Sequence, residues 1–141
     1  MKRRGFFAVG GSLAVGALAG CSEGGTETPD PDTDPTEFLP ELDGWTLDDT
    51  HRQNAGIVGA EAGIQGEYTD PDGEDYTVEI LRWSSREDAE DRTPNVYDSG
   101  WAVVVTHGVF GFAGNGPDVE NVRELLAASS ALSESIVSDA E

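Results

Sequence analysis

The first 21 residues differ so strongly from the rest that they decide how much of the chain remains to fold. They begin with Lys2, Arg3 and Arg4, continue through an uncharged run rich in Ala, Gly and Leu, and end at Cys21. A positive start, a short apolar stretch and a small-residue site form the layout of a cleaved export signal. We therefore predict that residues 1–20 are removed as a signal peptide and take no part in the fold.

Two short motifs in this segment resemble known signals. Arg3-Arg4 followed by Phe6-Phe7 resembles the twin-arginine (Tat) export signal, and Leu18-Ala19-Gly20-Cys21 resembles the lipobox of bacterial and archaeal lipoproteins. The resemblance implies that Arg3 and Arg4 direct export and that Cys21 becomes the first mature residue, with lipid on its sulfur. The alternative is a retained transmembrane helix, but the apolar run of residues 5–20 is shorter than the roughly 20 residues that such a helix needs.

Residues 21–37 have the composition of a linker. From Ser22 to Glu37 the chain holds three prolines, six acidic residues and no bulky apolar side chain. Such a segment buries too little surface to offset the entropy of ordering. Extended at about 3.1 Å per residue, it could separate an anchor at Cys21 from the domain by roughly 50 Å. Its aspartates lack the glycine turn and the final bidentate acid of a calcium loop, so we predict no metal here.

The charge of the chain excludes some partners. The formal net charge is −20, and residues 1–20 carry three of the eight basic residues and no acidic one. The remainder therefore holds 28 acidic and 5 basic residues, a net charge of −23, and all five basic residues are arginine. Phosphate backbones are repelled by such a surface, so we expect no nucleic-acid binding. Acidic, lysine-free sequences of this kind resemble secreted proteins of salt-loving archaea, whose carboxylates keep the surface hydrated in strong salt.

Residues 38–141 are predicted to form one domain with a single core. Apolar alternation and β-branched runs predict strands at 45–53, 60–69, 76–83, 101–107 and 109–113. The strand 101–107 is uncharged apart from one histidine and is expected at a central position. Capping residues and apolar spacing predict a helix that begins near Ser85 and ends near Pro94, a second at 119–129 and a short helical stretch around 132–137. This order favours an α+β fold, β-β-β-α-β-β-α, with an antiparallel sheet of about 4–5 strands and helices packed on one face.

Catalytic and metal-binding motifs are absent from the sequence, and we predict no cofactor. There is no nucleophile elbow, phosphate loop, zinc helix or paired-cysteine knuckle, and Cys21 is the only cysteine. The acidic loop 70–75 lacks calcium-loop spacing and is interpreted as a solvated hairpin. Asp49 and His51 share one face of a strand while Asp48 is expected to point away, which leaves one ligand too few for a catalytic zinc site.

The remaining candidates for a site are aromatic residues and histidines. Seven of the large aromatic side chains in the domain either form the core or line a ligand groove. They are Trp45, Tyr68, Tyr76, Trp83, Trp101, Phe110 and Phe112. Trp101 and His107, at the two ends of one predicted strand, are our candidate ligand-binding residues. The sequence therefore favours a lipoprotein on the extracytoplasmic face of the cell membrane that acts as a non-enzymatic module for an envelope protein or a small molecule. The alternative is a small extracytoplasmic hydrolase that uses His51 or His107 as its acid/base.

Overall fold

The predicted apolar runs form an antiparallel sheet of five strands in a computed structural model that describes residues 28–139. The strands are β1 (Thr46–Arg52), β2 (Ala62–Thr69), β3 (Asp75–Arg82), β4 (Val103–His107) and β5 (Phe110–Asn115). Their order across the sheet is β1-β2-β3-β5-β4, and every neighbouring pair is antiparallel. The predicted α+β class, strand number and order of elements are confirmed.

Two tight turns hold the hairpins in register. Between β2 and β3, Asp70 Oδ1 accepts hydrogen bonds from the backbone N–H groups of Asp72 and Glu74, and Gly73 takes the left-handed conformation that glycine favours. Between β4 and β5, Gly108 has a φ of 63°. Both connections are turns that the sequence predicts from their Gly, Pro and Asp residues.

Three helices follow: α1 (Arg86–Val96), α2 (Val119–Ala127) and α3 (Glu134–Asp139). The side chain of Ser85 caps α1 at Asp88 N, as its sequence predicts. The predicted end near Pro94 is too early, because α1 continues to Val96 and the N–H of Tyr97 donates to Thr93 O. Proline removes only one hydrogen bond of the last turn, and Thr93 is fixed beneath it by a hydrogen bond from Trp83 Nε1.

The helices lie on both faces of the sheet, which corrects the prediction that they share one. A Cβ at Gly111 would meet Thr93 of α1, whereas a Cβ at Gly114, three residues further along the same strand, would meet Val122 and Leu126 of α2. The α2–α3 side covers the larger core, which includes Val78, Ile80, Val105, Phe110 and Phe112. The α1 side covers a smaller core around Leu81, Trp83, Ala89, Tyr97 and Ala113. Two layers are needed because β3 and β5 carry apolar side chains in both directions.

The prediction that the strand 101–107 is central is also wrong. β4 occupies the edge of the sheet, next to β5. Its apolar, uncharged sequence arises because α1 packs against one of its faces and α2 contacts the other. An edge strand that is buried on both faces therefore has the same apolar sequence pattern as a central strand.

Residues immediately before the predicted domain boundary are packed rather than free. Pro35 is buried in a short 3-10 turn that contacts β2 and β3, and Asp34 forms a two-pronged ion pair with Arg52 at 2.8 and 3.0 Å. That hydrogen-bonded pairing holds the pKa of Asp34 well below its usual range. The boundary expected at residue 38 therefore falls inside a segment that already belongs to the fold.

The predicted signal and lipidation site lie outside the described residues. Arg3, Arg4 and Cys21 all precede residue 28, so their roles stay predictions. Among residues 28–139 there is no helix with the length and apolar character required to cross a membrane.

Candidate functional site

Half of the sheet surface on the α1 side carries polar side chains without a helix above them. α1 packs on β4 and β5, whereas on the same face of β1 and β2 the side chains of Asp49, His51 and Glu67 are exposed. The strand register aligns two rows of side chains on it, His51-Gln65-Glu79 and Asp49-Glu67-Thr77. We call these six residues the open face. At about 4.8 Å between strands, each row spans roughly 10 Å.

His51 lies between two carboxylates at the outer edge of the open face. Its Nε2 is 3.4 Å from Asp49 Oδ2 and 3.2 Å from Glu67 Oε2, and half of its side chain is exposed. The predicted shared face of Asp49 and His51 is therefore present, and the structure adds Glu67 from the neighbouring strand. Exposed pairs of this kind contribute little to stability.

Asp48 does not point away from Asp49 and His51, although the regular alternation of a strand would require it. A β-bulge between Leu47 and Asp49 inserts Asp48 as an extra residue. Its Oδ2 accepts a hydrogen bond from Thr69 Oγ1, two residues along β2 from Glu67. A bulge turns one side chain out of alternation, which is why the sequence pattern gave the wrong direction.

The inner edge of the open face is formed by Glu79, Tyr97 and Trp101. Tyr97 Oη donates to Glu79 Oε1 at 2.9 Å, and the Tyr97 and Trp101 rings meet edge to face at 5.0 Å. Burial raises the pKa of Glu79, and the hydrogen bond from Tyr97 opposes that rise. Burial and the neighbouring carboxylate likewise raise the pKa of Tyr97, which keeps its hydroxyl protonated as a donor.

Trp101 and His107 are not brought together. Trp101 packs beside Tyr97 on the α1 side, before β4 begins. His107 ends β4 and, by strand alternation, faces the α2 side with Val103 and Val105. Of this predicted pair, only Trp101 borders the open face, and ligand binding by either residue stays a prediction.

His51 and His107 are also far apart. They lie on the two edge strands, separated by four strand spacings, or roughly 19 Å. A shared acid/base site is therefore incompatible with this sheet, and the hydrolase hypothesis would have to rely on one histidine alone.

In the hairpin between β2 and β3, the carboxylate of Asp70 is hydrogen-bonded within its own turn. Asp70 is only 5% exposed because its side chain closes the turn, and it borders a cleft of ≈ 270 Å³ with Asp118 and Asn121. Within residues 28–139, no group of three or more His, Cys, Asp or Glu side chains is arranged to hold a metal ion. The hydrogen bonds that Asp70 accepts within residues 70–75 agree with the interpretation of this segment as a hairpin turn.

Four open-face residues escaped the sequence analysis: Gln65, Glu67, Thr77 and Glu79. Polar residues at a spacing of two on three consecutive strands were the available signal, since such positions share a face. What the sequence could not supply is the register that aligns them.

Comparisons with known proteins found no matching family model, no similar curated protein and no similar solved structure. The proposed function therefore rests on the chain's own sequence and on the geometry of its described residues.

Proposed function

We propose that the chain is a lipoprotein held by acyl chains on Cys21 at the extracytoplasmic face of the cell membrane, and that its domain is a non-enzymatic binding or accessory module. The observation that carries the proposal is the combination of Arg3-Arg4, an apolar run and Leu18-Ala19-Gly20-Cys21 in the correct order. The described part of the chain agrees with an anchor near the domain, because the buried Pro35 lies only 14 residues after Cys21 in the sequence.

The open face supports a binding role over catalysis. It offers amide, carboxylate, imidazole and hydroxyl groups along two parallel rows, with Trp101 and Tyr97 at one side. Hydrolysis would require a nucleophile or an activated water between convergent groups. A row of polar side chains on a sheet instead suits hydrogen bonding to a partner surface or to a polar small molecule.

The anchor is tested by mass spectrometry of the protein purified from native membranes. We expect a mature N-terminus at Cys21 with added acyl mass. Cys21→Ser should move the protein from the detergent phase to the aqueous phase, and Arg3→Lys with Arg4→Lys should leave the precursor unprocessed inside the cell. An intact Met1 in the native protein would disprove the anchor.

The binding role is tested on the open face with a tag at Glu141. Gln65 lies in the middle of the face, so Gln65→Arg adds bulk and one positive charge there. Asn95→Arg adds the same charge on an exposed site of α1 and serves as the matched control. In crosslinking from native membranes at high salt, the first variant should lose the specific partner and the second should keep it. Equal recovery with both variants would remove the open face from the proposal.

A further inference from the structure

A cavity of ≈ 440 Å³ lies beside the start of β1, on the side of the sheet that α2 covers. Its lining includes Leu47 and Tyr68, which lie opposite each other in the register of β1 and β2 and therefore share one face of the sheet. Tyr68 belongs to the larger core, whereas the open face lies on the other side. The cavity is thus separate from the open face, and its volume is typical of a small-molecule pocket.

The segment that leads into β1 forms one wall of this cavity. Trp45 N donates to Leu42 O at 3.0 Å, and Gly44 has a φ of 87° within this turn, a conformation that glycine favours. Tyr68 Oη donates to Pro40 O at 2.8 Å, which ties the start of the segment to β2. Hydrogen bonds therefore hold the wall in place at both of its ends.

Part of the lining is apolar and accessible to solvent. Leu47 is 41% exposed, although Tyr68 across the strand is buried. Trp45 is partly buried, and its ring packs on that of Tyr76 with the centroids 4.9 Å apart. An aliphatic side chain and an aromatic side chain therefore border the same cavity.

Two carboxylates, those of Glu41 and Asp43, are also part of the lining, and no basic residue is. Burial raises the pKa of Tyr68 above its usual range, and the negative charge of Glu41 raises it further, so this carboxylate acts on the interior of the cavity. In a chain with 28 acidic residues, two carboxylates alone would indicate nothing. Their place beside Trp45 and Leu47 is what distinguishes this cavity.

We propose that the cavity binds a small organic cation whose charged group is covered by methyl groups, as in a quaternary ammonium ion. The methyl groups contact Trp45 and Leu47, while the positive charge is attracted by the indole ring and by the carboxylates of Glu41 and Asp43. Inorganic cations lack the apolar surface and neutral molecules lack the charge, so neither matches both parts of the lining. The proposal goes beyond the binding role of the open face and does not depend on lipidation of Cys21.

Tetramethylammonium chloride tests the cavity on the full chain, purified in detergent at a constant high concentration of potassium chloride. The neutral comparison is tert-butanol, which has a similar size and methyl surface without the charge. Binding is followed by NMR through the indole N–H resonances of a 15N-labelled sample, and the Trp45 resonance is identified by its loss in Trp45→Phe. Trp101 is the internal reference, because it packs with the smaller core on the α1 side of the sheet.

A pair of double variants tests the role of charge. Glu41→Gln with Asp43→Asn removes both carboxylates of the cavity while nearly keeping the shape of the side chains. Glu87→Gln with Asp91→Asn removes the same charge from α1, on the other side of the sheet, and is the matched control. All four sites are exposed, so we expect unchanged circular dichroism for both variants.

We expect tetramethylammonium to shift the Trp45 resonance saturably in the unaltered protein and in the control. Its dissociation constant should be at least about tenfold higher in the variant that lacks the carboxylates of Glu41 and Asp43. An equal response to tert-butanol, an equal affinity in the two double variants, or no saturable shift would each overturn the proposal. Equal shifts of Trp45 and Trp101 would also overturn it, because they would indicate a general solvent effect. None of these outcomes bears on the lipid anchor or on the open face.

Discussion

The hydrogen bond between Trp83 and Thr93 offers the sharpest test of how α1 is held on the sheet. Trp83 Nε1 donates to Thr93 Oγ1 at 3.0 Å, and both side chains are fully buried. Thr93→Val keeps the shape of the side chain but removes the acceptor. The indole N–H is then left in a site from which water is excluded.

The size of the effect follows from the cost of leaving a buried hydrogen-bond donor without an acceptor. An unsatisfied buried donor costs about 1–3 kcal/mol, whereas threonine and valine differ little in helix propensity. We expect Thr93→Val to lower the free energy of unfolding by about 1–3 kcal/mol. For a domain of this size that corresponds to a fall in Tm of roughly 4–8 °C per kcal/mol.

A double-mutant cycle separates the hydrogen bond from other effects of the substitution. Urea unfolding at constant high salt is followed by far-UV circular dichroism, since Trp83→Phe changes the fluorescence. In the Trp83→Phe background no indole N–H remains, so Thr93→Val should cost less than about 0.5 kcal/mol. Thr93→Ser is the control that keeps the hydroxyl and loses only a methyl group.

Two outcomes would refute the reasoning. The first is a Thr93→Val variant as stable as the unaltered protein. The second is an equal cost of Thr93→Val with Trp83 and with Phe at position 83. Either result would mean that α1 is not fixed by this hydrogen bond.

Two further predictions concern the opposite faces of the sheet. Gly114→Ala would place a Cβ 2.6 Å from Val122 Cγ1, and in thermal unfolding it should destabilise the fold by about 1–3 kcal/mol. The control Gly56→Ala meets only a side-chain oxygen at 3.9 Å and should change the stability by no more than about 0.5 kcal/mol. Equal Tm values for the two variants would contradict the packing of α2. Glu79→Gln should raise Tm at neutral pH. The raised pKa of Glu79 means that the ionised form of this partly buried carboxyl destabilises the fold, and protonation removes this cost as the pH falls. The gain should shrink toward pH 4, where the carboxyl is protonated, and parallel Tm–pH curves for the two proteins would contradict it.

The element order was predictable because each element carries a local signal. Asp70 and Gly73 form the turn that their residue types favour, and Ser85 caps α1 as expected. Local chemistry of this kind acts over a few residues and needs no partner from distant parts of the chain. The same reasoning placed Gly108 in the β4–β5 turn.

Features that depend on distant partners were missed. β4 was expected at the centre of the sheet because its sequence is uncharged and apolar. An edge strand that helices cover on both faces has the same pattern as a central strand. The open face was missed because Gln65 and Glu79 become neighbours only through the register of β2 and β3. The Asp48 bulge, likewise, depends on pairing between β1 and β2.

The sequence alone therefore determined the predicted export segment, the excess of acidic charge, the turns, the caps and the series of strands and helices, since these depend on residue type and short-range spacing. The tertiary structure alone decided which face each helix covers, which strands form the edges and which polar side chains share the open face. Those relations require strand pairing and packing between residues far apart in the chain, and neither is encoded in any local pattern.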